Sequence, residues 1–214
     1  MAEVVLIYGA SGSGKSRSMK NFKDDEVFLV NTIDKRLPFK SNFKYVGKSD
    51  NVDTIIGALQ KMPTKVAVID DAGYLMTNKF MKGHANIAKG ASTFDLYNDI
   101  ADSFWKLIQA AKALPEDVIV YIMMHEETND YGDTKLRTIG KLLNDKVCIE
   151  GMCTIVLRCM SEDGRHYFRT QTDGRDITKA PEDMFKEVEI ENDLKAVDTT
   201  IREFYGMATK KGEK

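Results

Sequence analysis

An octapeptide near the start of the chain constrains its fold more than any other feature. Residues 9–16 read Gly-Ala-Ser-Gly-Ser-Gly-Lys-Ser and match the pattern G-x-x-x-x-G-K-[ST] in full. The apolar run VVLIY at residues 4–8 precedes them, and no helix breaker occurs in residues 15–22. A buried strand, a glycine-rich turn and a helix, in this order, are the context that a phosphate-binding loop requires. The sequence therefore predicts a strand–loop–helix unit that binds a phosphorylated ligand.

The chemistry expected of this loop follows from its backbone. Gly12 and Gly14 permit the chain to wrap around an anion, so that successive N–H groups and the helix N-terminus point at a β-phosphate. Lys15 is predicted to reach the β- and γ-phosphates, and the Ser16 hydroxyl to ligate a bridging Mg²⁺. The predicted nucleotide contacts are Gly9, Ala10, Ser11, Gly12, Ser13, Gly14, Lys15, Ser16 and Arg17.

Length and composition indicate one cytoplasmic domain. The chain has 214 residues, of which 43% are hydrophobic, enough for one well-packed core. We expect a single domain over residues 1–206 and a flexible polar tail over residues 207–214. Neither a charged-then-apolar leader nor a run of ~18 apolar residues is present, which argues against secretion and membrane insertion. The formal net charge of −2 means that any contact with nucleic acid is local.

The three cysteines are not predicted to carry chemistry. Cys148, Cys153 and Cys159 are odd in number, lack C-x-x-C spacing and lie in or beside an apolar strand. This pattern favours reduced core thiols over disulfides or zinc ligands.

Alternating strands and helices predict an α/β fold. Residues 27–31, 66–71 and 118–124 are strands without a polar face, typical of a parallel sheet that helices cover on both sides. Helical spacing at residues 52–62 and 94–114 predicts two of those helices. Residues 153–160 and 165–170 flank the turn sequence Ser-Glu-Asp-Gly and predict an antiparallel hairpin near the C-terminus.

Two carboxylates end the strand at residues 66–71. Asp70 is predicted to hold the hydrated Mg²⁺ from the side opposite Ser16, as in a Walker B motif. Asp71 is a candidate for orienting the attacking water, with a helix cap or turn as its alternative role. Asp34, after the second strand, and Glu126, after the fourth, are the other candidates for the catalytic carboxylate. His125 also falls where the carboxyl ends of the strands gather around a ligand.

Two segments are candidates for contact with a polymer. Residues 77–92 contain several basic side chains and no acid, which is compatible with a flexible basic loop that stacks on bases or with a plain connection. Residues 127–137 form a polar loop that leads to Arg137 and Lys141. The predicted DNA contacts are Lys79, Phe80, Lys82, Lys89 and Arg137.

On these motifs the chain resembles the small bacteriophage nucleotide-binding ATPases of the RecA-like superfamily, AAA-type proteins associated with phage recombination and single-strand annealing. The resemblance rests on residues 9–16, residues 66–71, His125, the segment Ile-Gly-Lys at residues 139–141, and residues 167–170 and 178–181. The Asp70-Asp71 ending departs from the Asp-Ser ending common among recombinases.

The resemblance implies a RecA-like, mostly parallel sheet flanked by helices, with the C-terminal hairpin added. It implies Mg²⁺-dependent ATP hydrolysis with Lys15, Asp71 and Asp34 as catalytic residues. His125 is then the sensor of the γ-phosphate. It further implies binding of single-stranded DNA through loops after the third and fourth strands, in phage recombination or replication inside a bacterial host. Homo-oligomers of this class complete the site with a basic residue of a neighbour. Candidates for that residue are Arg137, Lys141, Arg158 and Arg169.

Two other functions stay open. A P-loop small-molecule or nucleotide kinase uses the same loop, and Asp34, Lys35 and Arg36 are then candidates for binding its acceptor. A nucleotide-gated scaffold with little turnover is compatible with Asp71 in place of the longer glutamate. ATP is the expected nucleotide because the guanine-specific pattern N-K-x-D is absent from the sequence.

Overall fold

A computed structural model of the chain describes residues 1–84, 91–140 and 142–207. The strands are β1 (Glu3–Gly9), β2 (Val27–Asn31), β3 (Tyr45–Lys48), β4 (Val66–Asp70), β5 (Ile119–Thr128), β6 (Thr134–Leu136), β7 (Ile155–Glu162), β8 (Arg165–Arg169) and β9 (Glu189–Glu191). The helices are α1 (Val52–Leu59), α2 (Gly73–His84), α3 (Ala91–Lys112) and α4 (Leu194–Tyr205). Short 3₁₀ helices at Ser16–Asn21 and Ile149–Met152 and a π-helical turn at Leu143–Val147 complete the elements.

The strands form one sheet in the order β3-β2-β4-β5-β1-β7-β8-β9, with β6 paired to the end of β5. From β3 to β7 all neighbouring strands along this path are parallel, whereas β8 and β9 are added antiparallel. Asp163 and Gly164 connect β7 to β8 with positive φ angles of 49° and 79°, the backbone of a two-residue hairpin turn. The predicted fold class, including the hairpin, is confirmed.

Helices cover both faces of the sheet. One core cluster joins the face that includes Val4, Leu6 and Tyr8 of β1 to α1, α2 and α3. The other cluster joins the face that includes Val5 and Ile7 to α4 and the first 3₁₀ helix. Because side chains alternate along a strand, neighbouring residues of β1 contribute to opposite cores.

Some local predictions were wrong. Residues 77–84, considered as part of a flexible loop, belong to α2, in which Leu75 and Met76 are buried. Residues 127–137 are not a simple loop, since Glu126–Thr128 pair with β6 in a hairpin. The helix predicted after the glycine-rich loop is present, as a 3₁₀ helix. The edge strands β3 and β9 had no predicted counterpart.

Other predictions are not tested by the structure. Lys89 and Lys141 lie outside the described residues, as do residues 208–214 of the predicted tail. The single domain over residues 1–206 stays a prediction. Within the described ranges, no helix combines the length and the hydropathy needed to cross a membrane.

Candidate functional site

Strand alternation selects which polar side chains meet at the carboxyl end of the sheet. Asp70 continues the face of β4 that carries Val66 and Val68, and His125 continues the face of β5 that carries Tyr121 and Met123. Those apolar residues pack in the core beside α4 and the first 3₁₀ helix. Asp70 and His125 are therefore on the same side of the sheet as the glycine-rich loop.

The loop itself is tightly enclosed at two glycines. A Cβ atom at Gly9 would lie 2.2 Å from the main-chain oxygen of Cys159. At Gly14, where φ is +107°, a Cβ atom would lie 2.9 Å from Nδ1 of His166. Both positions need glycine, because the first has no space for a side chain and the second also has a left-handed backbone.

Lys15 is turned inward onto the loop. Its ammonium is buried and donates hydrogen bonds to the main-chain oxygens of Gly9 and Ala10, both at 2.8 Å. Burial is the main cause that lowers the pKa of this ammonium. A buried cation held only by neutral carbonyl groups fits an anionic ligand, because phosphate oxygens would supply the missing countercharge.

Ser16 and Asp70 form an oxygen pair beside Lys15. The Ser16 hydroxyl lies 2.9 Å from each carboxylate oxygen of Asp70, which is 1% exposed. Burial, and then the charge of Asp71, raise the pKa of Asp70. No group of three or more metal-ligating side chains occurs in the part of the chain that the structure describes. One hydroxyl and one carboxylate fit Mg²⁺, which takes few protein ligands and completes its shell with water and phosphate oxygens.

Asp71 is held in a strained position. Its φ of 56° is in the left-handed region, and the residue is 2% exposed. The Thr32 hydroxyl donates to the main-chain oxygens of Asp70 at 2.8 Å and Asp71 at 3.0 Å. The Asp71 carboxylate forms an ion pair with Lys35. Such conformations persist where surrounding contacts impose them, and they concentrate at functional sites.

His125 is next to this carboxylate. Its Nδ1 atom lies 3.9 Å from Oδ1 of Asp71, and its ring packs edge-on against Tyr74 with the centroids 5.9 Å apart. Burial and then the charge of Lys15 lower the pKa of His125. The imidazole is therefore neutral near pH 7, with one ring nitrogen that donates and one that accepts.

These groups line one cleft of about 370 Å³. Its wall consists of Ser11, Gly12, Gly14, Lys15, Ser16, Arg17, Lys35, Arg36, Pro38, Asp71, His125 and His166. The structure thus brings most of the predicted nucleotide contacts together with Asp71 and His125. Asp70 is buried behind the cleft wall and contacts it through the hydrogen bond from Ser16.

Two candidate carboxylates lie elsewhere. Asp34 is exposed and forms an ion pair with Lys48 at 2.6 Å, outside the wall of the cleft. Glu126 forms an ion pair with Arg158 at 2.9 Å. Glu126 follows His125 directly in β5, so its side chain is on the opposite face of the sheet.

His166 is a cleft residue that sequence reasoning missed. Its Nδ1 donates to the main-chain oxygen of Ser13 at 2.8 Å, and the Cys159 thiol donates to the same oxygen at 3.2 Å. Burial raises the pKa of Cys159 to about 11, which agrees with the expectation of an unreactive thiol. Asn192 donates to the Cys159 sulfur and accepts from Arg17. No sequence motif identifies these contacts, since they arise only when β8 lies beside β7.

The side chains predicted to bind DNA make internal contacts in most cases. Lys79 forms an ion pair with Asp99, and Lys82 forms one with Asp50. The Phe80 ring stacks on those of His84 and Tyr97, with centroid distances of 5.3 and 5.7 Å. Arg137 is exposed, and its main-chain N–H donates to the main-chain oxygen of His125 at 2.9 Å.

Two of the candidates for a basic residue acting on a neighbour are also engaged within the chain. Arg158 contacts Glu126 and Asp176, and Arg169 forms an ion pair with Asp173 at 2.8 Å.

The strand order and the cleft together define a RecA-like P-loop NTPase fold, with the P-loop strand β1 and the carboxylate strand β4 on either side of β5. The sequence model of the AAA domain family matches residues 1–185, and the chain belongs to this family. Its AAA-type P-loop ATPase fold implies nucleotide binding.

A search of solved structures finds similarity to the KaiC-like protein PH0186 from the hyperthermophilic archaeon Pyrococcus horikoshii OT3. The two share 15% sequence identity and a TM-score of 0.45, over 78% of this chain and 77% of that one. No curated protein matches the sequence.

Proposed function

We propose that this protein binds Mg-ATP in the cleft and hydrolyses it. The observation that carries the proposal is the convergence of Lys15, Ser16, Asp70, Asp71 and His125 at the carboxyl ends of β1, β4 and β5. Lys15 supplies a cation for phosphate, and Ser16 and Asp70 supply oxygen ligands for a metal. Asp71 supplies a carboxylate for water, with the polar side chain of His125 beside it. Each is close to a second member of the set or lines the same cleft.

In the proposed complex the loop N–H groups and Lys15 bind the phosphates. Lys15 exchanges its two carbonyl partners for β- and γ-phosphate oxygens, which relieves the cost of burying an uncompensated ammonium. Ser16 and Asp70 would hold Mg²⁺. The ion supplies positive charge that neutralises the phosphate oxygens when it is bound.

Asp71 orients the attacking water in this proposal. The carboxylate accepts a hydrogen bond from a water molecule whose oxygen forms a bond to the γ-phosphorus. The bond between that phosphorus and the β–γ bridging oxygen breaks, and its electron pair leaves with ADP. The products are ADP, inorganic phosphate and one proton released to solvent. His125, beside Asp71, is the proposed sensor of the γ-phosphate.

Action on single-stranded DNA in phage recombination or replication, as a homo-oligomer, is part of the proposal. It is supported by the resemblance of the sequence motifs and by the position of Arg137. The hydrogen bond from Arg137 to His125 connects the base of the β5–β6 hairpin to the cleft. A DNA contact near Arg137 would therefore act on the main chain that carries the proposed sensor.

The test is phosphate release from Mg-ATP by the wild-type protein and by Lys15→Ala, with and without single-stranded DNA. The matched control is Lys65→Ala, because Lys65 is a half-exposed lysine at the opposite end of β4, paired with Asp117. We expect Lys15→Ala to abolish release while its thermal unfolding shows a folded protein, and Lys65→Ala to behave as wild type. Wild-type turnover by folded Lys15→Ala would refute the site.

The DNA arm has its own outcome. Stimulation that declines between low and moderate salt supports a phosphate-backbone contact, because such contacts release counterions. If turnover is unaffected by DNA at both salt concentrations, the DNA part of the proposal is wrong and the ATPase part stands.

One observation favours a kinase as the second candidate. Lys35, Arg36 and Pro38 line the cleft beside the P-loop, where an acceptor would meet the γ-phosphoryl. A kinase would release ADP in excess of inorganic phosphate once its acceptor is present, whereas the proposed ATPase releases both in equal amounts.

A further inference from the structure

We propose that Lys35 stabilises the negative charge that develops on the γ-phosphoryl, and that it does so within its own chain. This inference rests on the proposed ATPase function and adds a residue to the same site. Under it, Lys35 acts on the γ-phosphoryl group that Lys15 of the same chain binds.

The main chain holds Lys35 in place at the end of β2. The Asn31 side chain donates to the main-chain oxygen of Lys35 at 2.7 Å and accepts from its N–H at 3.2 Å. Asn31 is the last residue of β2 and is paired in register with Asp70 of β4. The sheet therefore fixes the main chain of Lys35 relative to the strand that ends in the two carboxylates.

The Lys35 side chain reaches the end of the cleft where Asp71 and His125 lie. Its ammonium pairs with the Asp71 carboxylate, and the residue lines the same wall as Lys15. The Lys35 side chain is 40% exposed, whereas that of Asp71 is 3% exposed. The ammonium is thus at the boundary between the buried carboxylate and the open cleft, where a phosphoryl group has access to it.

The charge of Lys35 changes the pKa values of the surrounding groups. It adds to burial in lowering the pKa of Lys15, and to burial and Lys15 in lowering that of His125. Burial opposes the charged form of Lys35, but the Asp71 hydrogen bond and the charges of both carboxylates outweigh it and raise the pKa of Lys35. Lys35 is therefore a cation at neutral pH.

The other basic groups near the loop are arranged differently. Arg17 donates to Asn192, and Arg158 is on the opposite face of the sheet with Glu126. Arg36 also lines the cleft and, like Lys35, is exposed. The ion pair with Asp71 distinguishes Lys35 from these residues, because it joins the cation to the carboxylate proposed to orient water.

An ammonium has three N–H donors, so Lys35 can donate to Asp71 and to a γ-phosphoryl oxygen together. Lys35 keeps its proton throughout the step. Negative charge increases on the phosphoryl oxygens and the β–γ bridging oxygen as the phosphorus–oxygen bond breaks. A fixed cation at this place stabilises the transition state more than the ground state.

The experiment compares Lys35→Met with the control Lys65→Met, which removes a lysine–aspartate pair at the other end of β4. We expect Lys35→Met to lower kcat by about 10²- to 10³-fold, as for removal of a charge-stabilising donor. Affinity for ATP should decrease while affinity for ADP, which has no γ-phosphate, stays at the wild-type value. Unchanged ADP affinity also shows that the variant folds with an intact P-loop. Lys65→Met should match the wild type in all three measurements.

A mixing experiment separates action within the chain from action on a neighbour. Lys35→Met is mixed with Lys15→Ala, which carries an intact Lys35. If Lys35 acted across an interface, mixed assemblies would contain sites with both lysines and would recover turnover. We expect no recovery. Recovery, or a wild-type kcat for Lys35→Met, would overturn the inference.

The result that would refute the proposed function differs from the result that would refute the role of Lys35. Absence of phosphate release by the wild-type protein refutes the ATPase proposal, whereas release by the wild type with equal release by Lys35→Met refutes only the role of Lys35.

Discussion

Replacing Asp70 by asparagine should make the protein more stable without nucleotide and less stable with it. Asp70 is almost completely buried, and its hydrogen-bond partner is the neutral Ser16 hydroxyl. The adjacent Asp71 carboxylate is also buried, and it is Asp71 that pairs with Lys35. Folding therefore places an ionised carboxylate beside a second one in a region of low polarity, where desolvation is costly. Asp70→Asn removes that charge and keeps an oxygen acceptor for Ser16.

Two opposing contributions set the size of the effect, namely the buried charge that is removed and the amide group that replaces it. Because the asparagine amide also needs a partner, we expect a net gain on the order of 1 kcal/mol in the free energy of unfolding. For a chain of this length, 1 kcal/mol corresponds to a rise in Tm of about 2–4 °C.

The pH dependence has a definite sign. Burial and the charge of Asp71 raise the pKa of folded Asp70 above its ordinary value of 3.8, so the folded state binds this proton more tightly than the unfolded state. Wild-type stability from this group therefore falls as the pH rises from the ordinary value through the folded-state pKa. Asp70→Asn lacks this loss. Its advantage should grow across that window, stay constant above it and disappear below it.

Mg-ATP should reverse the order. A ligand at 100 times its Kd stabilises the folded state by about 2.7 kcal/mol, and the wild type should gain that amount. Asp70→Asn should gain less, because it lacks the carboxylate proposed to hold Mg²⁺. Thermal unfolding with and without Mg-ATP measures both effects, with Asp117→Asn as a partly exposed control. The reasoning is refuted if Asp70→Asn is less stable than the wild type without ligand, or if Mg-ATP stabilises both equally.

Two further predictions concern the surroundings of the site. Arg202→Met should lower the free energy of unfolding in urea by about 3–5 kcal/mol, because it leaves the buried Asp198 without its cation and removes the Arg202 hydrogen bonds to the main-chain oxygens of Lys65 and Asp117. If the double variant Arg202→Met/Asp198→Leu is no more stable than the single one, the loss does not come from the unpaired charge. Gly14→Ala should weaken ATP binding in calorimetry, because a left-handed backbone costs a side chain about 1–2 kcal/mol and the new Cβ would collide with His166. The control Gly57→Ala adds a methyl group to α1 in open space and should stabilise the protein by about 0.5–1 kcal/mol, and equal ATP affinity of both variants would contradict the argument.

The sequence predicted the parts of the fold that depend on hydrophobic pattern alone. β1, β2, β4 and β5 are apolar on both faces, so their burial is visible in the order of residues. The helix α2 was missed because residues 77–84 mix lysines with a glycine and lack a strong apolar stripe. Its helical state depends on tertiary contacts, such as the burial of Leu75 and Met76 and the stacking of Phe80 on Tyr97 of α3.

The site was predictable where its geometry is local. The glycines, Lys15 and Ser16 act through the backbone of one loop, and Asp70 and Asp71 directly end a strand. His166 enters the cleft because β8 pairs with β7, which no local pattern encodes. Lys35, which the sequence offered only as a contact for a kinase acceptor, reaches Asp71 because β2 pairs with β4. The sequence also does not show which of the two neighbours, Asp34 or Lys35, turns its side chain toward the cleft. Asp34 has a φ of 51°, and at this turn the aspartate pairs with Lys48 outside while the next side chain reaches Asp71.

Successive residues of β5 connect the cleft to the opposite face of the sheet. His125 lies beside Asp71, and Glu126 forms an ion pair with Arg158, which also contacts Asp176. The main-chain oxygen of His125 also accepts from the N–H of Arg137 at the end of the β5–β6 hairpin. If a bound γ-phosphate displaced His125, as the proposed sensor role requires, the movement would be absorbed within one peptide unit or would move Glu126 and the hairpin with it. Because Glu126 and Arg158 are both largely buried and paired, this ion pair resists a movement of the base of the hairpin.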